Sequence, residues 1–299
     1  MATHMLSETF KALAKEADFS KEMLGAGATQ IRKANFAAKG IYFQAFTSLS
    51  TGLERIGKLC LMLDHFIDHA GKFPDHAYMK KEIGHNISVI YEKSAAVVVK
   101  RSISMKFLQD LSDPIHQAIL KILSEFALSD RYSNIDLLVG SKPDGDPIAS
   151  WFREVDKPLY DTCVSKEKRE SIRGNATAFA AKFNPANVSV MVLHTSETGS
   201  EITDLEEIAL RTGMQSAIGP YRQLNVLQVI RYWAELLRSL QNMATQTRSE
   251  DIWLLDEQFS ALDSAVQAGI RDIPSFDELF SAFLKRDSYL RRRKTWDTV

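Results

Sequence analysis

The stretch between residues 28 and 70 limits what this chain can fold into more than any other. It contains no proline, and within it Leu49, Leu53, Ile56, Cys60, Leu63 and Ile67 recur at steps of four and three. A period of 3.6 residues places those six side chains on one face of a long helix, with Ser50, Glu54, Arg55 and Lys58 off that face. Gly40, Gly52 and Gly57 each lower helix propensity by about 1 kcal/mol relative to Ala, and in return allow a neighbouring helix to approach closely. Gly71 and Pro74 close the segment, as a Gly followed by a Pro does at a helix C-terminus.

Helical periodicity continues along the chain. A second helix is predicted from about Ala77 to Val99, with Ile83, Ile87 and Ile90 inward. A third begins at Pro114, capped by Ser112 or Asp113, and carries Ile115, Ile119, Ile122, Leu123 and Phe126 at helical spacing. Between Ser129 and Pro147 the punctuation by Asn134, Gly140, Pro143 and Gly145 marks an irregular segment and the best internal boundary. Asp146-Pro147 then opens a helix bearing Trp151 and Phe152, and residues 164–182 are polar with helical character. Val188 to Leu193 is the one strand-like segment. Helices resume over Thr203–Thr212 and from Pro220 to about Met243, where Leu224, Leu227, Ile230, Leu237 and Leu240 share a face. Ser275-Phe276-Asp277-Glu278 reads as a capping box. The expected fold is therefore mainly α: an antiparallel helical bundle over 1–140 and a second helical region over 141–299, the two packing as one unit or side by side.

Composition narrows the function classes. Lys+Arg total 37 against Asp+Glu 38 in 299 residues, which excludes a surface given over to polyanions and equally an acidic mimic. Cys60 and Cys163 allow one disulfide at most, and without a CxxC pair they imply no zinc cluster. The N-terminus lacks a basic region followed by an apolar run, and the most apolar stretches, such as Leu59 to Leu63, are too short to cross a bilayer. These features predict a soluble protein of a reducing cytoplasm, with no membrane partner.

Few motifs carry chemistry. Asp64-His65-Phe66-Ile67-Asp68-His69 sets two imidazoles at i and i+4, the spacing of metal ligands on a helix face. No third ligand follows nearby, and His at a helix C-terminus is favoured by the dipole alone, so no metal is expected at His65 and His69. Lys142 to Pro147 resembles a cation loop but lacks alternating oxygen ligands; a turn and a helix cap account for it. Neither GxxxxGK[ST], GxGxxG nor GxSxG occurs, and no cofactor is implied. Tyr232 and Trp233, inside a helix, read as packing residues. Arg131-Tyr132 follows the third helix directly, where it anchors a loop or meets a phosphate. Arg291, Arg292, Arg293 and Lys294 form the one concentrated basic run, suited to nucleic acid or to a solvated chain end.

Three pieces between Tyr42 and Gly140 occur in a suggestive order. Leu53-Glu54-Arg55-Ile56-Gly57-Lys58-Leu59-Cys60-Leu61 lies on the long helix, Gly84-His85-Asn86-Ile87 opens the core of the second, and Asp130-Arg131-Tyr132 follows the third. This order resembles the HEPN superfamily of all-α domains over about a third of the chain. The resemblance implies an up-and-down bundle that commonly dimerises and serves toxin–antitoxin, abortive-infection and other defence or RNA-processing systems. Many members are metal-independent RNases in which an Arg is followed after four to six residues by a His. No Arg here is followed by His at that spacing; after Arg131 come Tyr-Ser-Asn-Ile-Asp-Leu-Leu. The expected function is accordingly non-catalytic binding and assembly in a defence or stress system, with a partner protein or as a homodimer. The motive for the homodimer is the helix stripe bearing Gly52 and Gly57, which packing within the chain would also use. The rival is an endoribonuclease whose Arg131 is joined by a His from elsewhere, His85 or His65. A third reading is RNA binding without cleavage at residues 291–294.

Overall fold

Residues 8–129, 145–183 and 194–253 of the computed structural model are described, with single positions at Leu138, Gly140 and Phe280. Among them the protein is mainly α, as the periodicity predicts. The helices are α1 (Glu8–Lys33), α2 (Gly40–Asp68), α3 (His76–Tyr78), α4 (Ile87–Lys100), α5 (Pro114–Leu128), α6 (Pro147–Trp151), α7 (Lys157–Cys163), α8 (Lys166–Phe183) and α9 (Leu205–Trp253). Strands β1 (His194–Thr195) and β2 (Glu201–Ile202) pair antiparallel, His194 opposite Ile202. The strand-like residues 188–193 lie outside the described residues, immediately before β1.

The proline-free run does not form one helix. Asn35 breaks it: its side-chain oxygen accepts from the Ala37 and Ala38 amides at 3.0 Å each and caps a 3-10 turn over Phe36–Ala38. The chain reverses there, and α1 returns antiparallel on α2. Three small residues set how close the helices come. A Cβ on Gly27 would lie 2.6 Å from Leu49 Cγ, and one on Gly52 would lie 2.7 Å from Leu24 Cγ. On the next face of α2, a Cβ on Gly57 would lie 2.4 Å from Ile90 Cγ2 of α4 and 3.4 Å from the Trp233 indole nitrogen of α9. The glycine-bearing stripe is thus engaged inside the chain, with Leu49, Leu53, Ile56, Cys60 and Leu63 all buried.

The second predicted helix is interrupted. α3 passes into a π-helical turn over Met79–Ile83, Gly84 takes φ +70°, and α4 restarts with Asn86 as its cap, accepting from the Val89 amide at 3.1 Å. α5 starts as predicted: Asp113 accepts from the Ile115 amide at 2.8 Å with Pro114 in the first turn. Asp146 caps α6 in the same manner.

Pro220 does not start a helix; it lies inside α9. A mid-helix proline costs roughly 3 kcal/mol by removing one backbone bond, and the packing of α9 offsets that here. Gly219 is seated so closely that a Cβ would lie 2.7 Å from the Arg32 carbonyl oxygen, and Arg222 one turn on reaches into the core. One contiguous core runs from Leu13 of α1 through α2, α4 and α5 to Trp233, Leu236 and Leu240 of α9, so residues before and after position 140 pack together. Both cysteines are free, Cys60 buried and Cys163 exposed. No helix among the described residues is long and apolar enough to cross a membrane.

Candidate functional site

His85 sits between Gly84 and the cap residue Asn86, held out from the end of α4 with 71% of its side chain exposed. α2 supplies its surroundings. Its Nδ1 lies 2.9 Å from Glu54 Oε1, and Lys58 Nζ lies 2.7 Å from that same oxygen and 3.2 Å from Nδ1. Glu54 and Lys58 are one turn apart on α2, a pairing that holds the carboxylate in place. Glu54 accepts only and Lys58 donates only, so with Nδ1 protonated toward Glu54 the Nε2 atom keeps its lone pair, facing away from Glu54. Such an imidazole has the orientation required of a general base, with an ammonium group beside it to meet an anion. The two sequence pieces around Glu54 and His85 meet in space here. Ser124 of α5 also joins this end of the bundle, its hydroxyl 2.9 Å from Asn86 Oδ1.

Next to this cluster, α1 and α2 leave a groove of about 500 Å³. Leu13 and Leu59 lie at its floor, Met62, Phe73 and Met79 at its sides, and the Arg55–Glu16 pair (2.7 Å) crosses its rim. The lining is predominantly apolar and open to a partner side chain.

His65 and His69 lie at the C-terminal end of α2. Their rings stack with centroids 3.7 Å apart and planes 9° apart, and Tyr78 meets His65 edge-on at 4.7 Å. Among the described residues no group of three His, Cys, Asp or Glu side chains is arranged to hold a metal ion.

A second polar cluster is centred on the buried Arg222, Asp156, Tyr42 and Glu197, and the motifs did not reveal it. Arg222 Nε and Nη2 each donate to an Asp156 oxygen at 2.6 Å, and Nη1 donates to the Ala34 carbonyl at 2.7 Å. Nη2 also donates to Gln215 Oε1 and, at 3.0 Å, to the Tyr42 hydroxyl. Asp156 accepts further from Trp151 Nε1 at 2.9 Å and Tyr42 at 3.2 Å. Gln215 passes the chain of bonds to Glu197, which Arg211 meets at 2.8 Å. Burial, then the adjacent Asp156 carboxylate, push the Tyr42 phenol well above its usual range. Every donor here has an acceptor, so the cluster ties α1, α2, α6, α9 and the β-turn together.

Arg131 and Arg291, Arg292, Arg293 and Lys294 lie outside the described residues, as does the Ser275–Glu278 box. Glu54 and Lys58 are the partners that spacing alone does not assign to His85, because they come from 27 or more residues upstream. Comparison with protein-family models, with curated proteins and with solved structures finds no match. What the molecule itself defines is a mainly α-helical protein with an apolar groove and an exposed His–Glu–Lys cluster at one end.

Proposed function

We propose that this chain is a helical binding and assembly protein that acts as a homodimer, in a bacterial defence or stress system as the HEPN resemblance suggests. One observation carries the reading: a hole and a knob share a face of α1. The hole is the α1–α2 groove at Ala12 and Leu13. The knob is Phe19, 43% exposed, with Lys15 drawn over its ring at 5.5 Å. Seven residues, or two turns, separate Ala12 from Phe19, about 10 Å along the same face. A twofold axis between them brings each Phe19 to the other copy's groove, the self-complementary contact a symmetric dimer requires. The glycine stripe is not needed for this dimer, since α1, α4 and α9 already cover it.

Sedimentation of the full chain tests the reading. A dimer is expected, reduced to monomer by Phe19→Glu and by Met62→Glu with the thermal transition preserved. A monomeric parent protein at about 100 µM, a concentration at which a specific dimer assembles, overturns it.

A second reading, RNA cleavage, is favoured by the Glu54-oriented His85. There Nε2 would move a proton while Lys58 neutralises phosphate charge, with Arg131 as the further cation. Labelled RNA incubated with the parent protein, Arg131→Ala and His85→Ala separates the two readings. Cleavage lost in either variant refutes the non-catalytic assignment. Binding without cleavage, weakened by salt and by neutralising residues 291–294, assigns the third reading instead.

A further inference from the structure

We infer that His65 and His69 form a two-imidazole site for a divalent transition-metal ion of the Zn²⁺ class. His65 Nδ1 lies 3.1 Å from the Lys72 carbonyl oxygen, and His69 Nδ1 lies 2.8 Å from the His65 carbonyl oxygen. A carbonyl only accepts, so both Nδ1 atoms carry the proton and both Nε2 atoms keep a free lone pair. Metal-binding histidines show this arrangement: the outer nitrogen is fixed by an acceptor, which sets the tautomer and the ring orientation. Both imidazoles line one cavity of about 420 Å³, together with Asp75, Glu82, Lys72 and Lys81. The cavity lies at the C-terminus of α2, where the helix dipole favours a cation. Asp64 and Asp68 are held apart from it by Lys100 and Arg101.

Two imidazole nitrogens on one ion stand about 3 Å apart for bonds of about 2.0–2.1 Å. The rings stack with centroids 3.7 Å apart and planes 9° apart, so their lone pairs converge on one ion when the imidazoles turn out of the stack. Two protein ligands leave the other coordination positions to water, and imidazole selects Zn²⁺, Cu²⁺ or Ni²⁺ over Mg²⁺.

The test is titration of the untagged full chain with Zn²⁺, followed calorimetrically and by imidazole ¹⁵N spectra. One saturable site of roughly micromolar affinity is expected, weakened at least about tenfold in His65→Ala and in His69→Ala alike. His76→Ala should bind as the parent does, and Mg²⁺ should not compete. In the metal-free protein the spectra should show protonated Nδ1 on both rings, and Zn²⁺ should shift their Nε2 resonances. No saturable uptake up to about 1 mM, uptake unaffected by the two substitutions, or loss in only one of them overturns the inference. Circular dichroism melts of each variant separate ligand loss from unfolding.

Discussion

The protein contains two polar clusters built from similar parts and placed in opposite solvents. Around Arg222, a guanidinium, two carboxylates, a phenol and an indole are sealed in the core; around His85, an imidazole, a carboxylate and an ammonium stand at the surface. Burial decides what each can do. Removing one member of a desolvated ion pair leaves the other uncompensated, at a cost of about 3–5 kcal/mol. An exposed pair contributes only about 0.2–1 kcal/mol. The buried cluster therefore holds shape, and the exposed one leaves a lone pair free at Nε2 to contact another molecule.

The sharpest way to break this contrast is Arg222→Met. It strands Asp156 in the core, while Glu197 keeps Arg211, and should cost about 3–5 kcal/mol, read as the midpoint and slope of urea denaturation. The double change Arg222→Met with Asp156→Leu should recover much of that loss, because a paired removal leaves no orphan charge. A single-variant cost below about 1 kcal/mol would place the network with surface pairs. Gly57→Ala comes next. Its new methyl meets Ile90, and overpacking of this kind costs about 1–3 kcal/mol.

Acid should act on an intermediate case, the clamp in which Lys100 and Arg101 grip Asp64 and Asp68. Partial burial tends to raise the Asp68 carboxyl, but the hydrogen bonds from Lys100 and Arg101 outweigh it and hold the group below the usual aspartate range. A folded-state value below the unfolded one means the contribution is complete above the ordinary aspartate range, near pH 3.9. It is lost as pH falls through the lowered value. Amide exchange at the α2 and α4 ends should therefore accelerate below about pH 4, and Asp68→Asn should flatten that part of the profile.

Periodicity made the interior of the helices legible but not their ends. The stripe from Leu49 to Leu63, the start of α5 and the Asp146 cap all follow from local rules. α1 escaped because its buried stripe, Leu13, Ala17, Ser20, Leu24, Ala28 and Ile31, is built partly from small residues with little hydrophobic signal. Asn35 and Gly84 break helices in ways that only capping geometry reveals, and Pro220 obeys tertiary packing over its local preference. Arg222 was readable in principle. With Val226, Val229, Trp233, Leu236 and Leu240 it steps by four and three, so a charge occupied the first position of an apolar stripe. Its partner Asp156 lies 66 residues earlier, and no periodicity connects them. The same distance problem hid Glu54 and Lys58 from His85.

The smallest expected effect is at that exposed cluster. His85→Ala should change stability by no more than about 0.5 kcal/mol, since surface substitutions rarely do more, and Glu54 and Lys58 remain paired one turn apart without it. Glu54→Gln should cost somewhat more, up to about 1 kcal/mol, because it weakens the partly buried pair with Lys58 and the pair with His85 while keeping the shape of the side chain. A loss near 2 kcal/mol in His85→Ala would mean that the imidazole braces the α2–α4 junction, and the contrast with Arg222 would collapse. With stability unchanged, any effect of the two substitutions on RNA or on dimer assembly must come from contacts made outside the chain. If RNA is cleaved, His85→Ala should abolish the reaction and Glu54→Gln should slow it, because the imidazole loses the carboxylate that orients it.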